Sequence, residues 1–304
     1  MSHPSVAGLR SLPGPVAWVF TGGGARAAAQ VGMAEVLTEQ GLVPDLLIGS
    51  STGAINAAGL CGAGGHLAHL RRTWELIGSE SSLGSLGTAA VRAFAPRRTG
   101  RSAREYRSIL ARAIVAGPEA TMPPDLVLVA SDLVSGSPVA QNSGPILDAL
   151  CAAAAIPVIF PPLEHDGMLL LDGGLTASAP LDQALAAGAG SIVLLDTGVS
   201  AVGEDAVTLM RWWQMAGLAY GHQIRGQLGH ALVRAAEQVP VVTISTDEGG
   251  QFDFTRPEEL IGTGRSAASS ALAHGLAVNV RGPGVYGVPA GFEADPRLLP
   301  LQRE

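Results

Sequence analysis

Short, fully apolar runs recur along the chain, separated by Ala-rich or amphipathic stretches long enough for helices. That alternation predicts an α/β fold with a mostly parallel central sheet. Pro15 to Phe20, β-branched and aromatic, reads as a first buried strand, with a glycine loop, Thr21 to Ala27, and an Ala-rich helix through Gln40 behind it. Leu46 to Ile48 predicts a second strand running into another Ala-rich helix, and Pro124 to Ser131 a third. After Asp132, the turn Ser135-Gly136-Ser137 leads into an antiparallel edge strand. Met168 to Leu171, Ser191 to Asp196 and Val239 to Ser245 read as further strands, the last of these as the final one. Helices are expected over His66 to Leu76, Arg101 to Val115, Ile146 to Ala155, Thr208 to Gln238 and Pro257 to Leu276. Gly78 to Gly100, rich in Ser, Gly and Ala, reads as a lid, insertion or loop, and 281–304 as an irregular C-terminal tail. With no repeat and no linker, 1–304 reads as a single domain with a core over about 15–280.

Composition adds a large core: 47% of residues are hydrophobic and 15% charged, enough to fold without cofactor or disulfide. A net charge of -7, with no lysine at all, argues against nucleic acid as a partner. Cys61 and Cys151, each in Ala/Gly surroundings, read as small buried hydrophobes of a reducing compartment. Met1 to Gly14 lacks the apolar stretch of a signal peptide, and no apolar run reaches the roughly 18 residues of a membrane span. The expectation is a cytoplasmic protein with, at most, peripheral membrane contact. Trp212-Trp213 is open to two uses, packing between helices or contact with a lipid surface.

Candidate chemistry gathers at strand ends. Gly49-Ser50-Ser51-Thr52-Gly53, between the second strand and its helix, fits the Gly-x-Ser-x-Gly nucleophile elbow. Gly49 and Gly53 let the chain turn tightly enough to push Ser51 out of the packed layers, and the helix N-terminus beyond it adds positive dipole charge. Gly22-Gly23-Gly24-Ala25-Arg26-Ala27 follows the first strand in the same way. It could bind a dinucleotide through Gly22-x-Gly24-x-x-Ala27, form an oxyanion hole, or be a structural turn. The standard P-loop is excluded for want of lysine. A dinucleotide fold wants an acidic residue at the end of the second strand, where this chain has Gly49-Ser50-Ser51, so the layout favours acyl transfer. Asp172-Gly173-Gly174 ends another strand, where Asp172 either reaches the same rim or simply starts a turn.

These segments together resemble the patatin-like phospholipases. Gly22 to Ala27 is similar to that family's oxyanion loop, Gly49 to Gly53 to its nucleophile elbow, and Asp172-Gly173-Gly174 to its Asp-Gly-Gly motif. Ala153 to Pro162, containing Ile156-Pro157 and Phe160-Pro161-Pro162, resembles a fourth family segment. Two positions depart from the pattern: Ala27 replaces the loop's last glycine, and Ser178 stands where an asparagine is common. The resemblance implies a three-layer α/β/α sandwich and a serine acylhydrolase of phospholipase A or lysophospholipase type. It implies a Ser51–Asp172 dyad, an oxyanion hole from Gly22, Gly23 and Gly24 with Arg26 bracing the loop or meeting a substrate phosphate, an acyl-enzyme, and neither metal nor cofactor. The partner implied is a lipid or other ester substrate. Two rivals stand beside it: a Ser–His–Asp esterase using His222, His230 or His274 with Asp172 or Asp196, and a non-hydrolytic nucleotide-binding protein built on the glycine loop.

Overall fold

The computed structural model describes residues 4–61, 67–79, 104, 107–114, 117, 119–157, 160–198, 212–251, 253–276, 280–289, 291–292 and 295–303. The chain opens with α1 (Pro4–Arg10), then β1 (Val16–Phe20), a single 3-10 turn (Gly24–Ala27) and α2 (Ala28–Glu39). β2 (Leu46–Ser50) runs directly into α3 (Thr52–Leu60), with α4 (Leu67–Ser79) behind it. β3 (Leu126–Asp132) and β4 (Pro138–Gln141) form the foreseen antiparallel pair, and α5 (Ile146–Ala153) follows. Next come β5 (Leu163–His165), β6 (Met168–Asp172), the short helices α6 (Gly174–Ala177) and α7 (Leu181–Ala186), and β7 (Ser191–Asp196). The chain finishes with α8 (Trp212–Ala236), β8 (Pro240–Ser245), α9 (Pro257–Ala273), β9 (Gly284–Tyr286) and β10 (Gln302–Arg303).

The strands form one sheet in the order β10-β9-β8-β7-β1-β2-β3-β6-β5, with β4 also on β3. The run from β10 to β3 is parallel, whereas β4, β5 and β6 pair antiparallel, so the sheet is mixed. Because side chains alternate across a strand, each parallel strand feeds two cores. Trp18, Phe20, Leu47, Leu128, Val193 and Val242 face α2, α3, α4, α5 and α9. Ala17, Val19, Ile48, Val129, Leu194 and Val241 face α7 and α8 on the other side. Helices thus cover both faces, the three-layer arrangement, and strands buried on both faces explain the continuous apolar runs.

Two expectations need correction, and two features were not foreseen. The segment from 281 onward is not simply irregular: β9 and β10 extend the sheet beyond β8, and three- and two-residue strands are too short to show a period. β5 was not foreseen, although Asp166-Gly167 with φ of 48° and 76° is the two-residue turn that a β5–β6 hairpin needs. β6 runs antiparallel to β3, so Asp172 arrives at the rim from the opposite direction to the other strands. Gly78 lies inside α4, not in a loop. Residues 80–100 of the foreseen lid, His66, residues 101–103, 105–106 and 115 of the foreseen Arg101 to Val115 helix, Val158-Ile159 and the side chains of Trp212 and Trp213 fall outside the described residues.

Candidate active site

β3 brings the two chemical ends together. Its residues Leu128 and Val129 pair with both β2 and β4, and Ala130 and Ser131 with both β4 and β6. A strand has two edges, so β2 and β6 must share one and meet head to head along it. Ser50 sits opposite Val129 and Asp172 opposite Ala130. Ser51, one residue past Ser50, is therefore level with Asp172.

The elbow holds Ser51 at φ 55°, ψ -133°, a backbone state that L-residues avoid and that typically costs about 1–3 kcal/mol. Its backbone is clamped by a single acceptor. The carbonyl of Ala153 at the end of α5 takes both the Ser51 N–H and the Gly173 N–H, each at 3.0 Å, and Ala155 takes the Asp172 N–H at 3.0 Å. These are the carbonyls that a helix end leaves without internal partners. The Ala-rich stretch before Pro157 is thus the brace that holds Ser51 beside Asp172. Gly53 must be glycine: a Cβ there would lie 2.4 Å and 2.5 Å from the carbonyl oxygens of Phe20 and Thr21. Gly49 lies in β2 opposite Phe20 and Leu128.

Ser51 Oγ donates to Asp172 Oδ2 at 2.8 Å, and Gly174 N–H donates to Asp172 Oδ1 at 2.7 Å. The carboxylate is 2% exposed. Burial pushes its pKa up to about 6, with the hydrogen bonds from Ser51 and Gly174 opposing the rise. Ser131 Oγ fixes the strand end by donating to the Asp172 carbonyl at 2.8 Å. Tyr220 of α8, absent from the sequence reading, is the further residue here. Its hydroxyl lies 3.4 Å from where a Gly174 Cβ would sit, and burial first, then the Asp172 charge, raises its pKa.

The glycine loop packs on Ser51 closely enough that a Cβ on Gly22 would come 2.9 Å from Ser51 Cβ. Its donors are not equivalent. Gly22 N–H is committed to the Ser178 carbonyl at 2.8 Å, and Ala25 N–H to Gln251 at 2.8 Å. Gly22 is thereby removed from the expected oxyanion donors, while the N–H groups of Gly23 and Gly24 meet no acceptor among the described residues. Gly24 has φ +62°, and a Cβ there would fall 2.1 Å from the Gln251 carbonyl oxygen. Arg26 also moves: it is 5% exposed and turned toward Asp196 and Asp247. Burial lowers its pKa against the pull of those two carboxylates, and its charge acts on Asp196 rather than on Asp172.

Beneath the loop lies a buried chain of amides. Gln30 Nε2 donates to the carbonyls of Thr21 (2.8 Å) and Leu195 (2.9 Å). Asn56 Nδ2 donates to Gln30 Oε1 (2.7 Å) and the Ala27 carbonyl (2.8 Å), and Trp74 Nε1 donates to Asn56 Oδ1 (2.8 Å). Both ends of the loop are thereby tied to α2, α3, α4 and β7. Asn56→Ala strands three buried partners at once and is expected to destabilise the protein by on the order of 3 kcal/mol, read as an earlier urea midpoint.

The rival bases lie elsewhere. His222, His230 and His274 are exposed; His230 meets Arg297 and His274 the Ser270 carbonyl. The Asp196 carboxylate accepts from Ser245 Oγ at 2.8 Å and Gly198 N–H at 3.1 Å. Among the described residues no histidine bonds to Ser51, Asp172 or Asp196, no group of three or more His, Cys, Asp or Glu could hold a metal, and no helix is long and apolar enough to cross a membrane.

Several known proteins are similar to this chain. An uncharacterised NTE family protein of Mycobacterium bovis is 30% identical over 181 residues, covering 59% of this chain and 29% of the relative. Another, of Mycobacterium tuberculosis, is 31% identical over 184 residues, covering 60% and 49%. The chain thus spans less than half the length of these relatives. Among solved structures, VipD from Legionella pneumophila aligns at TM-score 0.37 and 12% identity, covering 85% of this chain and 66% of that one. The type III effector protein ExoU aligns at 0.38 and 16%, covering 87% and 54%. The family model for patatin-like phospholipase matches residues 18–185, over half of the chain and inclusive of the glycine loop, Ser51 and Asp172. By that match this chain belongs to the patatin-like phospholipase family.

Proposed function

We propose that the protein is a serine acylhydrolase of lipid esters, working through a Ser51–Asp172 dyad and an acyl-enzyme. The observation that carries the reading is the 2.8 Å contact from Ser51 Oγ to a buried carboxylate whose pKa is raised to about 6. An unperturbed aspartate, with a pKa near 3.9, is too weak a base at neutrality; desolvation makes Asp172 a competent one.

Ser51 Oγ attacks the acyl carbonyl carbon while its proton passes to Asp172 Oδ2. Gly23 and Gly24 N–H, with the N-terminus of the turn they open, receive the negative oxygen of the tetrahedral intermediate. As the intermediate collapses, the alcohol leaves with the proton from Asp172, and Ser51 keeps the acyl group. Water then attacks the acyl-enzyme, giving its proton to Asp172; collapse returns a proton to Ser51 and releases the acid. Tyr220 screens Asp172 from solvent in this scheme. The site is assigned to a cytoplasmic protein that meets its substrate at a membrane surface.

The test is acid release from short p-nitrophenyl esters and from a phospholipid. Turnover is expected to rise from pH 5 to pH 7, because only ionised Asp172 accepts the serine proton, with the limb near pH 6. A limb there overlaps that of a histidine, so the profile must be paired with His222→Ala, His230→Ala and His274→Ala. Each is expected to keep the wild-type rate within about twofold. A loss of several hundredfold in any one of them, or no acid release from any ester, overturns the dyad.

A further inference from the structure

We infer that two hairpins beside the elbow form a docking edge for a zwitterionic lipid surface, which places Ser51 at the depth of the ester. The inference deepens the hydrolase reading and rests on it for its purpose, though not for its observations.

Large apolar side chains exposed singly are ordinary; a cluster is not. Among the described residues, six large hydrophobics are exposed, and Leu133 (51%), Val134 (81%) and Leu169 (39%) are three of them. Leu133 and Val134 are consecutive in the β3–β4 turn, and Leu133 N–H donates to the Leu169 carbonyl at 2.8 Å, so the three form one patch. The turn is built to hold them out. Asp132 caps it, its carboxylate accepting from Val134 N–H at 3.2 Å and Ser135 N–H at 3.1 Å, and its carbonyl accepts from Gly136 N–H at 2.9 Å. The β5–β6 hairpin, with its Asp166-Gly167 turn, stands beside it. A fourth exposed apolar residue, Met215, lies five residues before Tyr220 on α8, about 7 Å further along that helix.

The position fits the substrate. Ala130 is level with Ser51, and Leu133, the first residue past β3, is three residues further on, roughly 10 Å beyond it at strand rise. Interfacial segments bury their apolar faces about 5–10 Å into the boundary between headgroups and acyl chains. A tip inserted that far leaves Ser51 within about 5 Å of that boundary, where the ester carbonyls of a glycerolipid lie. Charge selects the surface. Residues 132–141 and 163–171 carry Asp132, Glu164 and Asp166, one histidine, His165, and neither Lys nor Arg; Glu164 sits directly opposite Leu169, and Asp166, whose side chain is 84% exposed, lies 3.6 Å from His165 Nε2. Such an edge repels anionic headgroups and suits the outward ammonium of a choline headgroup.

The experiment is vesicle co-sedimentation of the Ser51→Ala protein, which removes turnover from the measurement, with phosphatidylcholine vesicles and with vesicles part-substituted by phosphatidylglycerol. Ser51→Ala is expected to bind the first better than the second, and adding Leu133→Ser, Val134→Ser and Leu169→Ser to lower partition about tenfold or more. In a Ser51 background the same triple change is expected to leave hydrolysis of a soluble short ester within about twofold, which also reports folding, while hydrolysis of vesicle lipid falls with binding. Unchanged partition in the triple variant, preference for phosphatidylglycerol, absence of binding, or a dimer split by the triple change each overturns the inference, the last by showing a second copy on the patch. Failure of the hydrolase reading is separate: it appears as no acid release at all, with vesicle binding intact.

Discussion

Asp172→Asn is expected to lower kcat about 10⁴-fold on any ester while making the protein more stable above neutral pH. Asparagine matches the shape of aspartate and can still receive the Gly174 N–H, but it cannot accept the serine proton, and losing one member of a catalytic serine unit typically costs about 10⁴-fold or more. The stability change follows from burial. In the folded protein the Asp172 pKa is about 6, above the value near 3.9 of an unfolded chain, so between those values the folded state holds the extra proton. The stability this group contributes is therefore present below pH 4 and is lost as pH rises through about 6, up to roughly 3 kcal/mol in all. Asparagine has no such loss. Urea midpoints of wild type and variant should diverge as pH rises from 4 to 7, with the variant higher. A variant that loses activity and is also less stable at pH 8 would mean that Asp172 is structural, not a strained base.

Gly24→Ala is expected to reduce kcat by about 10²–10³-fold with a smaller change in KM, the size seen when one oxyanion donor is lost. Two effects act at this position. An L-residue at φ +62° is disfavoured, and the new Cβ would lie 2.1 Å from a backbone oxygen of Gln251. The loop must shift to admit it, carrying the N–H groups of Gly23 and Gly24 off the oxyanion. Alanine at Gly22 would instead press on Ser51 Cβ, whereas the Gly22 N–H is already held by Ser178 and gives nothing to the intermediate. Steady-state kinetics on a soluble ester separate these: an equal fall in kcat and kcat/KM for Gly24→Ala marks a transition-state loss. A rise in KM alone would place the loop in substrate binding.

Much of this site is legible from residue pattern because tight turns leave few choices. The elbow needs glycine where Gly53 meets the carbonyls of Phe20 and Thr21, and apolar runs buried on both faces announce β1, β2, β3, β7 and β8. Strand direction is another matter. Met168 to Leu171 reads the same whichever way the strand runs, so the head-to-head meeting of β2 and β6 emerges only from the pairing register. Backbone commitments are equally silent: nothing in a run of glycines tells that Gly22 N–H is spent on Ser178 and that Gly23 and Gly24 are not. Gln30 and Asn56 look like ordinary polar helix residues until their partners across the fold are seen. The Asp166-Gly167 hairpin was readable, since that dipeptide favours the positive φ values a two-residue turn needs.

In the proposed mechanism Asp172 itself activates Ser51 as the nucleophile. Fluorophosphonate labelling followed by peptide mapping tests it most directly. The prediction is a single adduct on Ser51 in the wild type, its rate rising with pH through about 6, unaffected by His→Ala changes and nearly abolished by Asp172→Asn. An adduct on another residue, or Ser51 labelling that proceeds undiminished in Asp172→Asn, would contradict it.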